Sequence, residues 1–395
     1  SLRIQALNNR QMRKMCQKNI YAGFLTARGQ SVAGSSLHLL ALAKNASDDG
    51  NMSEQNSFLK AVRGLRPEKT PVWFMRQAGR SLPEYRRLRA DNDMLTACTT
   101  PDLAAEITLQ PVRRYGVDAA IFFSDIVTPL YLAGLEVEIV PGKGPVFADP
   151  VLDPKDVDRL TSHQGFDPDC ITEAAQIACA ELGETPLIAF AAAPFTLASY
   201  LIGKTRSKNH LEARAFMHSY PDAWNRLAGW CADMSAAFLA AQIAGGARTA
   251  QVFDSWVGDL SRADYQTYCS EHSRVVIDSA HAHGVPVIHF GVGAASLLDL
   301  MRDAGAECIG VDWRLPLGEA VKLIEHGPGD RFAVQGNIDP AILFASSKVR
   351  RDHVNQVLAE GKKAAAHIVN LGHGVPPNAD PAVLQEIVDQ VHESR

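Results

Sequence analysis

The chain has 395 residues, of which 46 % are hydrophobic and 21 % charged, with a formal net charge of −5. This balance is typical of a globular protein and argues against a general nucleic-acid binder, which would carry a basic face. No apolar run reaches the roughly 20 residues that a membrane span needs. The seven cysteines form no C-x-x-C pair, which favours reduced thiols in the cytoplasm over disulfides, and no zinc-ligand spacing is present.

The first 51 residues differ from the rest because they are basic and contain no acid before Asp48. Such a bias resembles an organelle transit peptide. We favour another interpretation, in which Met52 is the natural start and residues 1–51 are a leader or a mis-assigned extension outside the fold. A structured arm is a third possibility. The prediction is therefore one domain over residues 52–395 and a cytoplasmic location, or an organelle if the extension is a transit peptide.

From residue 70 onward, short apolar runs alternate with longer helix-like segments. The runs cover residues 71–75, 119–123, 186–193, 249–253, 285–290, 307–311, 331–335 and 367–371. They do not alternate apolar with polar residues, as expected for parallel strands buried on both faces. Eight such units predict an α/β fold, a single (β/α)8 TIM barrel. A doubly wound open sheet is the runner-up, although no G-x-G-x-x-G or P-loop follows the first run.

The segments between the runs predict helices with recognisable ends. One helix should begin at Thr100, with Pro101 at its first position, and another should run from Ser261 to the glycine at 284. A C-terminal amphipathic helix covers residues 380–395. Residues 135–147 predict a small hairpin inserted after the second strand.

The barrel prediction places the active site at the carboxyl ends of the strands. Polar or loop-forming residues follow the eight runs: Arg76, Asp125, Pro194, Asp254 with Ser255, Gly291, Asp312, Asn337 to Asp339, and His373.

The stretch "RQAGRSLPEYRRLR", residues 76–89, concentrates arginines at the first of these ends. A helix is predicted to start near Ser81, which leaves Arg76 and Arg80 on the loop before a helix N-terminus. Guanidinium groups suit carboxylates there because their fork donates two parallel hydrogen bonds. Arg89 is predicted to reach inward, while the other two arginines of the helix face solvent. The alternative is an ordinary solvated basic surface.

Four more strand-end residues are candidates. Asp125 follows five apolar residues and could bind N–H donors or a substrate cation, or could simply form a salt bridge with the loop arginines. Tyr200 could enter the pocket or remain in the core. Ser255 has a capping role as its alternative. His373 lies between two glycines, where the backbone can approach a ligand closely.

Six motifs together resemble the uroporphyrinogen decarboxylase family, most closely its bacterial members. They are "PVWFMRQAGRSLPEYRRLR", "FSDI", "APFTLASYLI", "QVFDSW", "QGNIDP" and "NLGHGVPP", and in this order they cover about residues 56–395. One departure is the segment after Tyr200, where the family usually has Glu-Gly and this chain has Gly203 and Lys204. This departure bears on the conformation of the loop after Tyr200 and on how that loop would close over a substrate.

The resemblance implies one barrel domain, usually a homodimer, and a reaction without metal or organic cofactor. It implies that four acetate side chains of uroporphyrinogen III become methyl groups, giving coproporphyrinogen III and four CO2. Asp125 and Arg76 would be catalytic. The substrate-binding residues that it implies are Arg76, Gln77, Ala78, Gly79, Arg80, Arg89, Asp125, Tyr200, Ser255 and His373.

Two other functions compete with this one. A corrinoid-dependent methyltransferase can share the barrel but needs a thiol-activating zinc site, and the His-x-Cys element for it is missing after His289. An inactive porphyrinogen-binding paralogue is favoured only by the departure at Gly203.

Overall fold

The computed structural model describes residues 56–140, 142–203, 209–327 and 329–394. The extension predicted for residues 1–51 lies outside this part of the chain, and so does Lys204. The described residues include β1 (Ala120–Ile121), β2 (Val137–Val140), β3 (Gly144–Phe147), β4 (Leu187–Ala192), β5 (Thr249–Asp254), β6 (Val287–Gly291), β7 (Cys308–Gly310), β8 (Ala333–Gln335) and β9 (His367–Ile368).

Seven of these strands form one parallel sheet in the order β1-β4-β5-β6-β7-β8-β9. Each strand of the sheet falls within, or within one residue of, one of the predicted apolar runs. All six residues of β4 are buried, which explains why the run shows no polar alternation. The remaining pair, β2 and β3, is the predicted antiparallel hairpin after β1.

The first apolar run, residues 71–75, closes the sheet into a barrel. Val72 pairs in parallel with Val369, just after β9, and the Trp73 N–H donates to the Val369 carbonyl at 3.2 Å. On the other side, the Asp118 N–H donates to the Val72 carbonyl at 2.9 Å, just before β1. The Asp118 carboxylate accepts the Val72 N–H at 2.8 Å. Since this segment joins β9 to β1, the predicted (β/α)8 barrel is confirmed.

Helices surround the sheet. In chain order they are α1 (Ser57–Val62), α2 (Pro83–Leu88), α3 (Met94–Thr99), α4 (Pro101–Tyr115), α5 (Thr128–Leu132), α6 (Pro154–Leu160), α7 (Asp169–Leu182), α8 (Pro194–Leu201), α9 (Leu211–Ser219), α10 (Pro221–Ala244), α11 (Arg262–Tyr268), α12 (Ser270–His281), α13 (Leu298–Asp303), α14 (Leu317–Ile324), α15 (Ser347–Gly361) and α16 (Pro381–Glu393). Short 3-10 helices lie at Val257–Asp259, Ala295–Leu297 and Pro340–Phe344.

Helix α4 follows its prediction, with Pro101 at its first position and a left-handed Gly116 at its end. The C-terminal helix α16 is also confirmed. The helix predicted over 261–284 is wrong in one respect, because it is divided into α11 and α12 at Cys269. Ser261 does cap α11, since its hydroxyl accepts the Asp264 N–H at 3.1 Å.

Helix α10 is long and apolar enough to cross a membrane by length and composition alone, with a mean hydropathy of 1.3. In that window 61 % of the helix is buried inside the fold. Such burial is typical of a core helix, and α10 packs against α12, α7 and β4.

Candidate active site

The loop after the first apolar run presents Arg76 in a left-handed backbone conformation, with φ of 59°. Gln77 builds the turn: its N–H donates to the Phe74 carbonyl, and its side-chain oxygen accepts the Phe74 N–H, both at 3.0 Å. The Gln77 amide nitrogen donates to the Ala119 carbonyl at 3.0 Å, and the side chain is fully buried. Gln77, a predicted substrate-binding residue, therefore has its side chain committed to shaping the loop that carries Arg76.

The side chain of Arg76 packs against the loop after β9. A Cβ placed on Gly374 would lie 2.5 Å from Arg76 Cδ and 2.8 Å from its Cγ. The Val375 N–H donates to the Met75 carbonyl at 2.8 Å and ties the two loops together. Only a glycine at 374 leaves room for this arrangement, which also brings Arg76 beside His373.

Ala78 and Gly79 complete the turn between the two loop arginines. Ala78 is partly buried against the core. A Cβ on Gly79 would approach the Arg76 carbonyl oxygen to 2.9 Å, so this position also favours glycine. Both residues shape the loop through their small size.

The next helix starts near Ser81, as predicted, but Ser81 does not cap it. Helix α2 begins at Pro83, two residues later, and no side chain caps it. The Ser81 hydroxyl is buried and has no hydrogen-bond partner among the described residues. Proline favours the first helical position because its missing N–H would be unpaired there anyway, and this preference outweighs the serine.

Three arginines of this region line an open depression of about 380 Å³, together with Tyr85 and Pro377. They are Arg80, Arg86 and Arg89. The Arg89 Nε donates to the Tyr85 hydroxyl at 3.3 Å, which holds the guanidinium beside the depression. Arg86 is exposed, as predicted, but it also donates to the Arg80 carbonyl at 3.0 Å and belongs to the same basic surface.

Asp125 follows β1 and carries a carboxylate without an ion-pair partner among the described residues. One of its oxygens accepts the Val127 N–H at 3.1 Å, and its own N–H donates to the Thr128 hydroxyl at 3.3 Å. Burial raises the pKa of Asp125, while the Val127 hydrogen bond and the positive charge of Arg76 oppose this shift. The salt bridge between Asp125 and the loop arginines that the sequence suggested is therefore not formed. Arg76 nevertheless lies close enough for its charge to lower the pKa of the Asp125 carboxyl.

His373 lies on the β9 loop between Arg76 and Trp313. Its ring packs edge-on against Trp313, with centroids 6.1 Å apart. Burial lowers the pKa of His373, and the charges of Arg76 and Arg314 lower it further. The imidazole is therefore neutral near neutral pH and can donate or accept a hydrogen bond there.

Tyr200 lies near the end of α8, the helix that follows β4, and Ser255 comes directly after β5. The Tyr200 ring packs against Trp256, with centroids 4.1 Å apart. Asp254 is fully buried and accepts the Thr196 hydroxyl at 2.9 Å. Of the two candidates at this strand end, Asp254 thus anchors β5 to α8, whereas Ser255 remains partly exposed at the rim.

The departure after Tyr200 has a local structural basis at Gly203. This residue has a φ of 87° and donates its N–H to the Val151 carbonyl at 3.0 Å. A Cβ there would overlap the carboxylate of Glu212, which occupies the space beside Gly203. The Glu212 carboxylate therefore occupies the space that a side chain at position 203 would need.

The structure thus brings Arg76, Asp125 and His373 together, with Arg80 and Arg89 on the adjoining surface. Sequence reasoning missed Arg314, which lies on the loop after β7 and whose positive charge lowers the pKa of His373. A possible signal was its position two residues after Asp312, already recognised as a strand-end residue. Within the described part of the chain, no group of three His, Cys, Asp or Glu side chains lies close enough to hold a metal ion.

Comparison with known proteins identifies the family of the chain. The model of the family described as uroporphyrinogen decarboxylase (URO-D) matches residues 53–394. The uroporphyrinogen decarboxylase of Salinispora tropica is 52 % identical over 336 residues, covering 85 % of this chain and 90 % of that protein. That of an Arthrobacter species is 50 % identical over 346 residues, covering 87 % and 98 %.

Among solved structures, a methyltransferase from Methanosarcina mazei superposes with a TM-score of 0.69 at 17 % identity, covering 86 % of this chain and 98 % of that one. At this identity the likeness concerns the fold alone. The family model and the relatives at about half identity extend over nearly all of the barrel. The chain belongs to the uroporphyrinogen decarboxylase family.

Proposed function

We propose that this protein decarboxylates uroporphyrinogen III, converting its four acetate side chains to methyl groups and releasing four CO2. The observation that carries the proposal is the juxtaposition of Asp125, a carboxylate with no ion pair among the described residues, with the loop guanidinium of Arg76. A ligand for this site needs several carboxylates for the arginines and N–H donors for Asp125. A porphyrinogen with eight carboxylates and four pyrrole N–H groups meets both demands.

The arginines supply local positive charge in a chain that is acidic overall. Arg76, Arg80 and Arg89 would bind substrate carboxylates through charge-assisted hydrogen bonds. His373, neutral because of burial and neighbouring positive charge, would donate to a carboxylate or support the macrocycle. Tyr200 and Ser255 would position the opposite side of the substrate.

Loss of CO2 leaves an electron pair that needs an acceptor. Protonation of a pyrrole ring carbon makes the ring cationic, and the electrons of the breaking C–C bond then flow into it. A proton from solvent then adds to the exocyclic methylene to form the methyl group, and the proton first added to the ring carbon leaves, which restores the neutral pyrrole. Asp125 would stabilise the cationic ring more strongly than the neutral one, which lowers the barrier rather than merely tightening binding.

We assign Arg76 to the proton-delivery step. Arginine is a weak acid in general. Arg76 therefore acts either as the donor itself or by holding the water or substrate carboxyl that donates. Substitution of Arg76 by lysine should lower kcat, whereas the same change at Arg80 should mainly raise KM.

The test is anaerobic incubation with uroporphyrinogen III, followed by oxidation and chromatography of the products. We expect the eight-carboxylate porphyrin to be replaced by products with seven, six, five and finally four carboxylates. A folded protein that binds the substrate but releases no CO2 would be the inactive paralogue. Activity lost to strong chelators and restored by zinc would instead favour methyltransferase-like chemistry.

We further propose that the protein is a cytoplasmic homodimer and that residues 1–51 are dispensable. The dimer rests on the resemblance, and light scattering tests it directly. The six cysteines among the described residues are free thiols, which suits a reducing compartment. A protein that starts at Met52 should fold and keep full activity, and its failure to do so would assign the extension to the domain.

A further inference from the structure

Arg314 stands on the loop after β7, next to a buried carboxylate that orients it. Its Nη1 lies 2.5 Å from Asp312 Oδ2, and its backbone N–H donates to the other Asp312 oxygen at 3.0 Å. Asp312 is almost fully buried and also accepts the Gly293 N–H at 2.5 Å. Backbone N–H groups donate to both oxygens of the Asp312 carboxylate and fix its position. The fixed carboxylate in turn restricts the orientation of the Arg314 guanidinium.

Trp313 restricts Arg314 further. The guanidinium carbon lies 3.9 Å from the centre of the Trp313 ring, a stacked cation–π arrangement. The Trp313 ring packs against His373, and its backbone fits so closely against Gly372 that a Cβ on this glycine would overlap it. The β7 and β9 loops are therefore fitted together, and Arg314 has a defined position beside His373.

One edge of the Arg314 guanidinium remains available. Among the described residues, no protein acceptor binds its Nε or Nη2, and 52 % of the side chain is exposed. Arg114 shows the same edge filled by a carboxylate: it donates from Nε and Nη2 to the two oxygens of Glu84, both at 2.7 Å. The Nε–Nη2 edge is thus competent for a bidentate carboxylate, and in Arg314 it is vacant of protein partners.

We propose that Arg314 is a further substrate-binding residue, whose Nε–Nη2 edge takes a carboxylate of the porphyrinogen on the His373 side of the barrel mouth. This inference rests on the proposed function for the identity of the ligand. Asp312 and Trp313 are the positioning residues, since they hold the guanidinium before the substrate arrives. Such preorganisation reduces the rotamer entropy that binding would otherwise lose.

The proposal is tested with Arg314→Gln, Arg314→Lys and a matched control, Arg113→Gln. Arg113 lies on α4, is similarly exposed at 48 %, and pairs with Glu106 at 2.7 Å. Two quantities are measured: the Kd for uroporphyrin III, the oxidised ring with the same eight carboxylates, and the KM and kcat for uroporphyrinogen III. Thermal melts of each variant report whether the loss of the Asp312 partner affects folding.

We expect Arg314→Gln to raise both Kd and KM by about 10-fold, as for loss of one charge-assisted carboxylate contact at a half-exposed site, with kcat changed by less than about twofold. Arg314→Lys keeps a positive charge beside Asp312 but loses the fork, so its Kd should lie between those of the wild type and the glutamine variant. Arg113→Gln should leave Kd, KM and kcat unchanged.

Wild-type Kd and KM in Arg314→Gln would overturn the proposal. So would lower melting temperatures and kcat in both Arg314 variants without a rise in Kd, because that pattern describes a purely structural ion pair. If Arg314→Gln does not fold, a raised Kd in Arg314→Lys supports the proposal and a wild-type Kd overturns it. Failure of the proposed function is separate: the wild type would then release no CO2, while the Kd values would still decide the role of Arg314.

Discussion

Replacement of Asp125 by asparagine tests the proposed mechanism most directly, because folding and catalysis should respond in opposite directions. The substitution removes the charge but keeps the shape and the oxygen that accepts the Val127 N–H at 3.1 Å. Burial raises the pKa of Asp125 above its ordinary value of 3.8, so the charged form of this carboxyl is less favourable in the folded state than in the unfolded state. The charged carboxylate therefore costs stability in the absence of substrate.

The sign of the stability effect follows from the direction of this pKa shift. The folded state holds the proton more tightly than the unfolded state, so the wild type loses stability as pH rises from 3.8 through the raised pKa. At neutral pH the asparagine variant should melt at the same temperature as the wild type or higher. Well below pH 3.8 the stability difference between the two proteins should become independent of pH, since the Asp125 carboxyl is then protonated in both the folded and the unfolded state.

Catalysis should suffer, because asparagine cannot stabilise a cationic pyrrole electrostatically. Loss of one aimed stabilising group costs about 10²–10³ in kcat. Single-turnover CO2 release and thermal melts on the same preparations measure the two effects, with Asp125→Glu as the variant that keeps a displaced charge and more of the activity. Near-normal kcat in a folded, equally stable asparagine variant would refute the mechanism. A lower melting temperature with normal turnover would instead indicate a structural role.

Three further predictions follow from the site. Gly374→Ala should lower kcat/KM by about 10²-fold through displacement of Arg76, with little change in melting temperature, and unchanged activity would show that Arg76 does not need its present position. Gly203→Glu should lower the melting temperature despite restoring the usual family residue, and Glu212→Ala in the same chain should recover part of the loss. The His373 ring should titrate below 6.5 by NMR, since burial and positive neighbours lower its pKa; titration above that value would contradict this account.

Much of the barrel could be predicted from the sequence because buried parallel strands leave a simple signal. All eight apolar runs take part in the closed sheet, including the first, which contributes mainly through Val72. Helix ends were less predictable. The break at Cys269 has no proline or glycine to announce it, and Pro83 rather than Ser81 determines the start of α2.

The candidate site was predictable as a set of strand ends but not as a set of contacts. At the end of β5 the sequence offered Asp254 and Ser255 equally, and successive residues of a strand point in opposite directions. Only the structure shows that Asp254 turns inward to Thr196. The fit of Arg76 against Gly374 joins residues nearly 300 positions apart in sequence, and no local pattern predicts it.

The site keeps opposite charges close together without letting them pair. Arg76 is near enough to Asp125 for its positive charge to lower the pKa of the carboxyl, yet the two side chains form no ion pair. Arg76 is held in a left-handed conformation that costs a non-glycine residue about 1–2 kcal/mol, and its stem lies against Gly374. Had the two groups paired, each would have satisfied the other, and a substrate would have had to break that pair. In the proposed mechanism this separation leaves the guanidinium for a substrate carboxylate and the Asp125 carboxylate for pyrrole N–H groups, so that the substrate would supply the missing partners of both.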